Sequence, residues 1–456
     1  MSELLAAQRV HLIGIGGSGM SALASLLLEM GKTVSGSEVA PGPATDALRA
    51  GGAQITVGHA PHSIRDAEYV IRSAAIADDN VEVVEALRRD LPMKKLAEAV
   101  GELMSDRSGV AIAGTHGKTT TTSLVAWLLE QGGLDPLVLI GADTPAFPQG
   151  AHLGAGPMVV EADEYDRRFL SYWPEVAVVT SIEADHLDYY RDLAEIRSAF
   201  EELVQRLPLH GRLVVCADEP CAAALESPAR RETYGFAESA DWRIEDYAPT
   251  AAGGASFTLH TDGRVWPVRS PLVGEHNARN VTAAIAVADH FGIGLRASLA
   301  ALPTFEGAKR RFETKGRPRG IWVVDDYGHH PTEAQAVLRA AASAAAGAVW
   351  VVFQPHTTNR TAALFDDFAR SFTDADHALI LPIYRPRGRE VAARPVTAED
   401  LVGAVRAKGH PDARFVASFD AALDAVVAEA QPGDLVITMG AGDVTQLADR
   451  LVAALA

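Results

Sequence analysis

A lysine and a run of threonines that follow two closely spaced glycines give the sharpest chemical signal in this sequence. The segment AGTHGKTTTT, residues 113–122, follows an apolar run that predicts a strand and precedes one that predicts a helix. Glycines would let backbone N–H groups turn toward phosphate oxygens, and a helix start adds partial positive charge. Lys118 could then reach the outer phosphates of a nucleotide, and Thr119 could offer a hydroxyl to Mg²⁺.

This loop departs from the general P-loop pattern GxxxxGK[ST] at Ile112, where that pattern has glycine. A turn that only caps a helix, with Thr119 or Thr120 bonding the backbone, is the alternative. The strand before the loop and the acidic motifs after it favour nucleotide binding. The predicted ATP-binding residues of the loop are Gly114, Thr115, His116, Gly117, Lys118, Thr119 and Thr120.

Two acidic motifs follow later apolar runs, EADEYD at 161–166 and IEADHLD at 182–188. Carboxylates placed after parallel strands emerge at the edge of the sheet where α/β proteins gather ligands. Glu161 is therefore the first candidate for a metal ligand. In the second motif His186, with Asp185 and Asp188 beside it, could hold a second Mg²⁺ or position an acyl group. Solvated turns or helix caps are the alternative interpretation.

A glycine motif near the start, GIGGSG at 14–19, satisfies GxGxxG between a predicted strand and helix, and Glu38 ends the next strand. Taken alone it indicates dinucleotide binding, and hence an NAD-dependent oxidoreductase. The same loop would bind the pyrophosphate of any nucleotide diphosphate sugar, because backbone amides do not identify the attached group. The alternative is that these glycines serve only to let the helix pack tightly on the strand.

Further polar signals lie in the second half of the chain. GEHNARN at 274–280 opens a predicted helix, and Asn277 and Asn280 offer amides that could read a nucleobase or cap the helix. Arginine can neutralise charge during phosphoryl transfer, and an aspartate commonly holds a ribose hydroxyl. Such residues occur in KRRFE at 309–313, DDYGHHP at 325–331 and FQPHTTNRT at 353–361, which includes His356 and Arg360.

The elements that would position these residues follow an α/β order along all 456 residues. Strand-like runs alternate with helix-like ones, which predicts three domains built on largely parallel sheets. The predicted domains are an N-terminal Rossmann-like domain at 1–106, a central P-loop-type ATPase domain at 107–304 and a C-terminal Rossmann-like domain at 305–456.

Charge and composition exclude other classes. A net charge of −18 argues against general affinity for nucleic acid, whose phosphates need lysine and arginine. The sequence has neither a signal-peptide pattern nor an apolar run of membrane-spanning length, so we expect a cytoplasmic protein without membrane insertion. Cys216 and Cys221 lack the spacing of a zinc site or disulfide framework, which predicts ordinary packing.

Taken together and in chain order, these motifs resemble the Mur ligase family over nearly the whole chain. The resemblance implies that the N-terminal domain binds a UDP-sugar, the central domain binds ATP and Mg²⁺, and the C-terminal domain receives an amino acid. The γ-phosphate of ATP would activate the carboxylate of UDP-N-acetylmuramate as an acyl phosphate, which the amine of L-alanine would attack. The enzyme would act as a monomer or homodimer.

The resemblance also implies roles for individual residues. Catalytic roles fall on Lys118, Glu161, His186, Arg310 and His330. ATP would further contact Asn280 through adenine, Asp326 through ribose and Arg310 through the phosphates. Metal ligands would be Thr119, Glu161 and His186. The incoming amino acid would meet Tyr327, His329 and His330. The UDP-sugar would contact Gly14, Gly16, Gly17, Ser18, Gly19, Ser37 and Ser73.

The branch of the family is indicated by smaller features. Sister ligases that add later residues often carry a lysine after the central motif, and RDLAEIRSAFEELV at 191–204 has none. Tyr327 and Gly328 favour the alanine-adding branch over the branch that recycles a murein tripeptide. Tyr165 is shared with the recycling branch, and Thr357–Asn359 depart from the usual pattern, so that branch is the alternative. A non-catalytic nucleotide-binding protein is a further alternative.

Overall fold

The computed structural model describes residues 2–187, 189–250, 253–385 and 396–456. Asp188 of the second acidic motif lies outside the described residues. The chain forms three β-sheets with helices between their strands, as the predicted α/β class requires. No helix in the described ranges is long and apolar enough to cross a membrane.

The first sheet has five strands in the order β3-β2-β1-β4-β5, and every pair is parallel. Strand order reverses direction beside β1, which is the place where Rossmann-like sheets bind ligands. Its strands are β1 (Arg9–Ile13), β2 (Thr33–Glu38), β3 (Gln54–Val57), β4 (Tyr69–Arg72) and β5 (Met93–Lys95). Its helices are α1 (Glu3–Ala6), α2 (Ser18–Glu29), α3 (Pro43–Ala50), α4 (Val81–Arg88) and α5 (Leu96–Met104).

The second sheet has ten strands in the order β15-β14-β13-β12-β11-β10-β6-β9-β7-β8. They are β6 (Gly109–Ala113), β7 (Leu137–Leu139), β8 (Ala151–His152), β9 (Met158–Glu161), β10 (Val176–Val179), β11 (Arg212–Cys216), β12 (Arg230–Gly235), β13 (Trp242–Thr250), β14 (Gly254–Thr261) and β15 (Arg264–Ser270). The helices are α6 (Lys118–Gln131), α7 (Leu193–Val204), α8 (Pro220–Ala223), α9 (Glu275–His290) and α10 (Leu295–Ala301).

Strand β6 lies between β9 and β10 and pairs with both in parallel. All of its five residues are buried, as expected for a parallel strand covered on both faces. Because parallel strands end at the same edge, the segments after β6, β9 and β10 are neighbours. These segments contain the phosphate loop and the two acidic motifs.

The third sheet has six strands in the order β16-β17-β21-β18-β19-β20. They are β16 (Glu313–Gly316), β17 (Trp322–Asp326), β18 (Val349–Phe353), β19 (His377–Ile380), β20 (Ala413–Phe415) and β21 (Leu435–Met439). The helices are α11 (Pro331–Ala344), α12 (Thr358–Ala363), α13 (Phe365–Phe368), α14 (Ala398–Ala407), α15 (Phe419–Glu429) and α16 (Thr445–Leu455). Alternate strand residues enter two separate apolar clusters, one on each face, with Val351 in one and Trp350 in the other.

The chain divides into two compact units. One comprises Met1–Glu245, Thr258–Val268 and Arg279–Glu306, and the other comprises Asp246–Phe257, Arg269–Ala278 and Gly307–Ala456. The first two sheets therefore belong largely to one unit. The predicted boundary at 106/107 falls between α5 and β6, and both predicted boundaries remain predictions.

Candidate active site

The phosphate loop joins β6 to α6 near the middle of the ten-stranded sheet. Gly114 and Gly117 have φ angles of 130° and 78°, which residues with a side chain rarely adopt. A Cβ on Gly114 would lie 2.1 Å from Thr180 Oγ1, and one on Gly117 would lie 2.7 Å from Asn280 Oδ1. Both glycines are thus required by conformation and by close contact.

Two amides of the loop are used to hold it in place. The N–H of Thr115 donates to Ser181 O at 2.9 Å, and that of His116 donates to Ser181 Oγ at 3.1 Å. Helix α6 begins after Gly117, which has no side chain to cap the first turn. That start suits an anion, so the first turn of α6 remains the predicted phosphate site. The ATP-binding roles of Thr115, His116 and Thr120 remain predictions.

Lys118 is paired with a carboxylate that the sequence analysis did not single out. Its Nζ lies 2.9 Å from Oε2 and 3.2 Å from Oε1 of Glu164, and both side chains are almost wholly buried. Burial lowers the pKa of Lys118, but the carboxylates of Glu164, Asp163 and Glu161 outweigh it and the pKa is raised. Lys118 therefore stays cationic beside the loop.

Thr119 and Glu161 meet as expected for two ligands of one metal ion. The Thr119 hydroxyl donates to Glu161, 3.1 Å from Oε1 and 3.0 Å from Oε2. The N–H of Gly141 donates to Oε2 at 3.0 Å and helps to orient the carboxylate. Hydroxyl and carboxylate oxygens are the donors that Mg²⁺ takes in proteins. The donor set at the ends of β6 and β9 fits the predicted metal.

His186 lies at the same edge, after β10. It has a left-handed backbone with φ of 55°, and its N–H donates to Asp185 Oδ1 at 2.7 Å. Its Nε2 lies 3.8 Å from Glu164 Oε1, so Glu164 stands beside both Lys118 and His186. The ring of Tyr165 lies 4.9 Å from the His186 ring, centroid to centroid. The structure therefore brings His186 of the second acidic motif beside Glu164 and Tyr165 of the first.

Asn280 lies in α9 against the phosphate loop. The hydroxyl of Thr121, in α6, donates to Asn280 Oδ1 at 3.2 Å, and Asn280 is buried. This position ties α9 to the nucleotide-binding helix. Contact with adenine remains a prediction.

The N-terminal glycine loop follows β1, beside the point where strand order reverses. Gly14 has a φ of 77°, and its N–H donates to Ser37 O at 2.9 Å. The Gly16 N–H donates to Glu38 Oε2 at 2.9 Å, and a Cβ on Gly16 would lie 2.7 Å from that oxygen. Helix α2 starts at Ser18, after Gly17, and a Cβ on Gly19 would lie 2.9 Å from a methyl carbon of Leu96.

Of the three serines predicted to contact the UDP-sugar, Ser18 starts α2, and the other two lie in different settings. Ser73 follows β4 beside Gly14, and its N–H donates to Ile13 O at 3.0 Å. The Ser37 side chain is fully buried, and its hydroxyl donates to Glu82 Oε2 at 2.6 Å. Ser37 thus contributes to an internal polar network, and its contact with a ligand remains a prediction.

Glu82 is the centre of that network and was missed by the sequence analysis. Its side chain is fully buried and accepts from Ala60 N at 3.1 Å, while His11 Nε2 and His59 Nδ1 each lie 3.5 Å from Oε2. Burial raises the pKa of Glu82, but hydrogen bonds from His11, Ser37 and Ala60 outweigh it and lower the pKa to about 2.

We expect Glu82 to make the free energy of unfolding depend on pH in the acidic range. A depressed carboxyl pKa contributes stability that is present above the unfolded pKa near 4.5 and is lost as pH falls toward about 2. The contribution is on the order of 3 kcal/mol. The free energies of unfolding in urea of wild type and Glu82→Gln should differ, and this difference should narrow from pH 7 to pH 3. Asp46→Asn, at an exposed carboxylate, is the control, and a difference independent of pH would contradict the assignment.

In the second unit, Arg310 is held by backbone oxygens and a buried acid. Its guanidinium donates to Gly440 O and to Gly442 O, and Nε lies 3.4 Å from Asp325 Oδ2. Arg310 also lies over the Tyr327 ring, 4.8 Å from the centroid. Its predicted role at phosphates remains a prediction.

Asp326 ends β17 and is buried. Its Oδ2 accepts from Phe312 N and its Oδ1 accepts from Gly328 N, both at 2.7 Å. Burial raises the pKa of this carboxyl to about 6 in spite of these bonds. Both oxygens therefore hold the backbone here, and a ribose contact remains a prediction.

Two of the residues predicted for the incoming amino acid, Tyr327 and His329, lie in an aromatic cluster. The rings of Tyr327 and His329 are 5.2 Å apart, those of His329 and His356 are 5.9 Å apart, and His356 stacks on Tyr384 at 5.6 Å. His330 caps α11, and its Nδ1 accepts from the N–H of Thr332. Tyr384 was not expected from the sequence, because it follows β19, far along the chain.

We expect His329 to be neutral at physiological pH. Burial lowers the pKa of His329 to about 4. The contribution of the neutral ring to the stability of the fold is therefore full above the unfolded pKa near 6.5 and is lost as pH falls toward 4. Imidazole NMR resonances, assigned by comparison with His329→Gln, should show no protonation of His329 between pH 8 and about 5.5. A midpoint near 6.5 would show that the ring is not buried in solution.

The fold and the site define a three-domain α/β enzyme with an ATP-binding P-loop. Models of one family match in order along the chain: "Mur ligase family, catalytic domain" at residues 9–108, "Mur ligase middle domain" at 112–288 and "Mur ligase, glutamate ligase domain" at 310–442. The chain belongs to the Mur ligase family.

Relatives match nearly the whole chain. The UDP-N-acetylmuramate–L-alanine ligase of Geotalea uraniireducens is 41% identical over 449 residues, covering 98% of this chain and 97% of that one. The protein of the same name from Agrobacterium fabrum is 42% identical over 452 residues, covering 97% and 96%.

Solved structures agree. The UDP-N-acetylmuramate-alanine ligase of Thermotoga maritima has a TM-score of 0.82 at 27% identity, with 98% of each chain covered. The murein peptide ligase of Psychrobacter arcticus covers the same shares at 28% identity but has a TM-score of 0.70. The fold is thus more similar to the former.

Proposed function

We propose that this enzyme joins L-alanine to the carboxylate of UDP-N-acetylmuramate, consuming ATP, in peptidoglycan precursor synthesis. One observation carries the proposal. Neighbouring strand ends bring together Lys118, the Thr119–Glu161 pair and His186, the set needed to transfer a phosphoryl group between two anions. Full-length relatives at 41% to 43% identity bear the name of that alanine ligase.

The reaction needs activation because a carboxylate is a poor electrophile. A carboxylate oxygen of the sugar attacks the γ-phosphorus of ATP, the bond to the bridging oxygen breaks, and ADP leaves. The amine of L-alanine then attacks the acyl carbon, loses a proton and expels phosphate, which leaves an amide. Lys118 and the first turn of α6 stabilise charge on the transferred phosphoryl group.

Thr119 and Glu161 would hold one Mg²⁺ ion, and His186 would hold a second. When bound, these ions would screen the charges of the meeting anions. Glu164 sets where Lys118 lies before nucleotide binds, because their ion pair is buried. The glycine loop after β1 would take the pyrophosphate of the UDP-sugar through backbone amides. The roles of Arg310, Asp326 and the Tyr327–His330 cluster remain proposals.

The alternatives fit less well. An NAD-dependent oxidoreductase would use only the first glycine loop, and a non-catalytic binding protein would not need a metal pair beside the P-loop lysine. The murein tripeptide ligase shares Tyr165, but the relatives at 41% to 43% identity carry the alanine-ligase name. We place the reaction in the cytoplasm, with a monomer or homodimer as the active form.

Trapping the intermediate tests the chemistry. With ATP, Mg²⁺ and UDP-N-acetylmuramate but without L-alanine, added hydroxylamine should attack the acyl phosphate. The expected product is the muramyl hydroxamate, formed in equal amount to ADP. Release of ADP without hydroxamate would contradict an acyl phosphate. Omitting the UDP-sugar is the control, and it should abolish both products.

A further inference from the structure

Three metal-ligating side chains meet at the far end of α6 from the phosphate loop. Glu130 lies in the last turn of α6, Asp135 lies before β7, and His152 ends β8. One ligand atom from each lies within 4.8 Å of the other two. Helix α6 has 14 residues, which makes it about 21 Å long. This cluster is therefore separate from the nucleotide site.

We propose that Glu130, Asp135 and His152 bind a divalent transition-metal ion, with Zn²⁺ as the expected occupant. His152 Nε2 lies 3.4 Å from Asp135 Oδ1 and 3.9 Å from Glu130 Oε2. A tetrahedral zinc ion with bonds of about 2.0–2.2 Å separates its donors by about 3.4 Å. The two separations from His152 differ from that value by about half an ångström at most, and the Glu130 and Asp135 oxygens lie within 4.8 Å of each other.

The chemistry of the donors favours zinc over Mg²⁺ or Ca²⁺. Imidazole nitrogen is a preferred ligand of zinc and related transition metals, whereas Mg²⁺ and Ca²⁺ prefer oxygen ligands, which the phosphates of ATP would supply beside His186. Three protein donors leave a fourth tetrahedral position for water. His152 is about one-third exposed, so an ion can enter from solvent.

One oxygen in the cluster lacks a donor. Glu130 Oε2 is itself buried and accepts no hydrogen bond within the described part of the chain. A buried polar atom without a partner costs free energy. At 3.9 Å the His152 nitrogen is too distant to donate to it. A cation between the two atoms would satisfy both.

The backbone that carries Asp135 is held rigidly. Asp135 has a left-handed backbone with φ of 47°, and its carbonyl accepts from Gly156 N at 2.7 Å. A Cβ on Gly156 would lie 1.8 Å from Leu134 O, so the two segments are in direct contact. Arg107 Nη1 donates to the carbonyls of Gly154 and Gly156, both at 2.9 Å. Such support preorganises a metal site.

The Asp135 carboxylate is oriented and ionised. Its Oδ2 accepts from Ala155 N at 2.8 Å, while Oδ1 is the oxygen near His152. The bond from Ala155 is the main cause that lowers the pKa of Asp135, so the group is an anion at neutral pH. An outer hydrogen bond that fixes a metal-ligating carboxylate is a common feature of built sites.

Bound zinc would join the end of α6 to the β7–β8 edge of the sheet. Binding to the folded chain raises its stability, so the melting temperature should rise with Zn²⁺ and return with a chelator. The proposal concerns a site apart from the ligase chemistry. It is tested without nucleotide or sugar, so its failure would leave the proposed function intact.

The test is calorimetric titration of the full, untagged chain with Zn²⁺ in excess Mg²⁺, which occupies oxygen-only sites. Wild type should bind one zinc ion more than His152→Gln, and Asp135→Asn should bind it at least about tenfold more weakly. His290→Gln is the matched control, because His290 pairs with a single carboxylate, that of Glu175, at 3.0 Å. It should behave as wild type.

Co²⁺ gives an independent readout. Wild type should develop the intense visible absorption of tetrahedral Co²⁺, and His152→Gln should not. Equal zinc stoichiometry and affinity in wild type and His152→Gln would overturn the proposal. So would a wild-type Co²⁺ spectrum typical of octahedral coordination. If His152→Gln does not fold, Glu130→Gln provides the same comparison, since it removes the charge of one metal ligand at a partly exposed position.

Discussion

Lys118→Ala is expected to lower the turnover of ligation by about a thousandfold or more, with binding of UDP-N-acetylmuramate changed by less than about twofold. Lys118 is the cation at the start of α6, and no charge on the sugar-binding loop depends on it. Phosphate release measures the first effect, and calorimetry with the sugar nucleotide measures the second.

The controls for this variant address folding. Removing Lys118 leaves Glu164 buried without its cation, which typically costs about 3–5 kcal/mol. The double variant Lys118→Met with Glu164→Gln removes both charges and should fold better while remaining inactive. Lys32→Met changes a lysine buried elsewhere, whose Nζ donates to two carbonyls, and should keep turnover per folded molecule. Substantial turnover of the double variant would contradict the role of Lys118.

Glu161→Gln is expected to lower turnover by about a hundredfold and to raise the Mg²⁺ concentration for half-maximal activity by about tenfold or more. Its carboxylate would bind the same Mg²⁺ ion as the Thr119 hydroxyl, which lies 3.0 Å away. Thr119→Val should act in the same direction. Because both groups hold one ion, the double variant should lose less than the product of the single effects.

The matched control is Glu175→Gln. Glu175 lies just before β10, at the opposite edge of the sheet, and pairs with His290. It should leave the Mg²⁺ dependence unchanged. An unchanged Mg²⁺ dependence in Glu161→Gln, or fully multiplicative effects with Thr119→Val, would show that the two groups do not share an ion.

The local order of the sequence was sufficient to predict much of this site. The loops that follow β6 and β9 each come after an apolar strand of the second sheet, and parallel strands ending at one edge bring their loops together. Lys118, Thr119 and Glu161 could be placed for that reason, since their positions depend on neighbouring residues and sheet direction. The α/β class and the family were predicted on the same motifs.

Other features depend on contacts between distant segments. Glu164 meets Lys118 across 46 positions. Glu82 reaches Ser37 across 45 positions. Tyr384 stacks on His356 after an intervening helical region. No periodicity encodes such pairings, so sequence patterns cannot supply them.

Weak strands were also missed. Strands β12, β13 and β15 mix exposed and buried residues and contain charged side chains. Strand β16 is polar and antiparallel to β17, and β20 has three residues. Strands β15, β16 and β20 lie at sheet edges and need only one partner, so their composition resembles that of loops.

The most direct test of the central claim is product analysis with competing acceptors. The purified chain, ATP, Mg²⁺ and UDP-N-acetylmuramate would be incubated separately with L-alanine, glycine, L-serine or the murein tripeptide, and product masses and phosphate release measured. We predict UDP-N-acetylmuramyl-alanine and stoichiometric phosphate with L-alanine, with Tyr165 and Thr357–Asn359 as tolerated variations. Turnover with the tripeptide but not with L-alanine would contradict the account. So would the absence of turnover with all four acceptors.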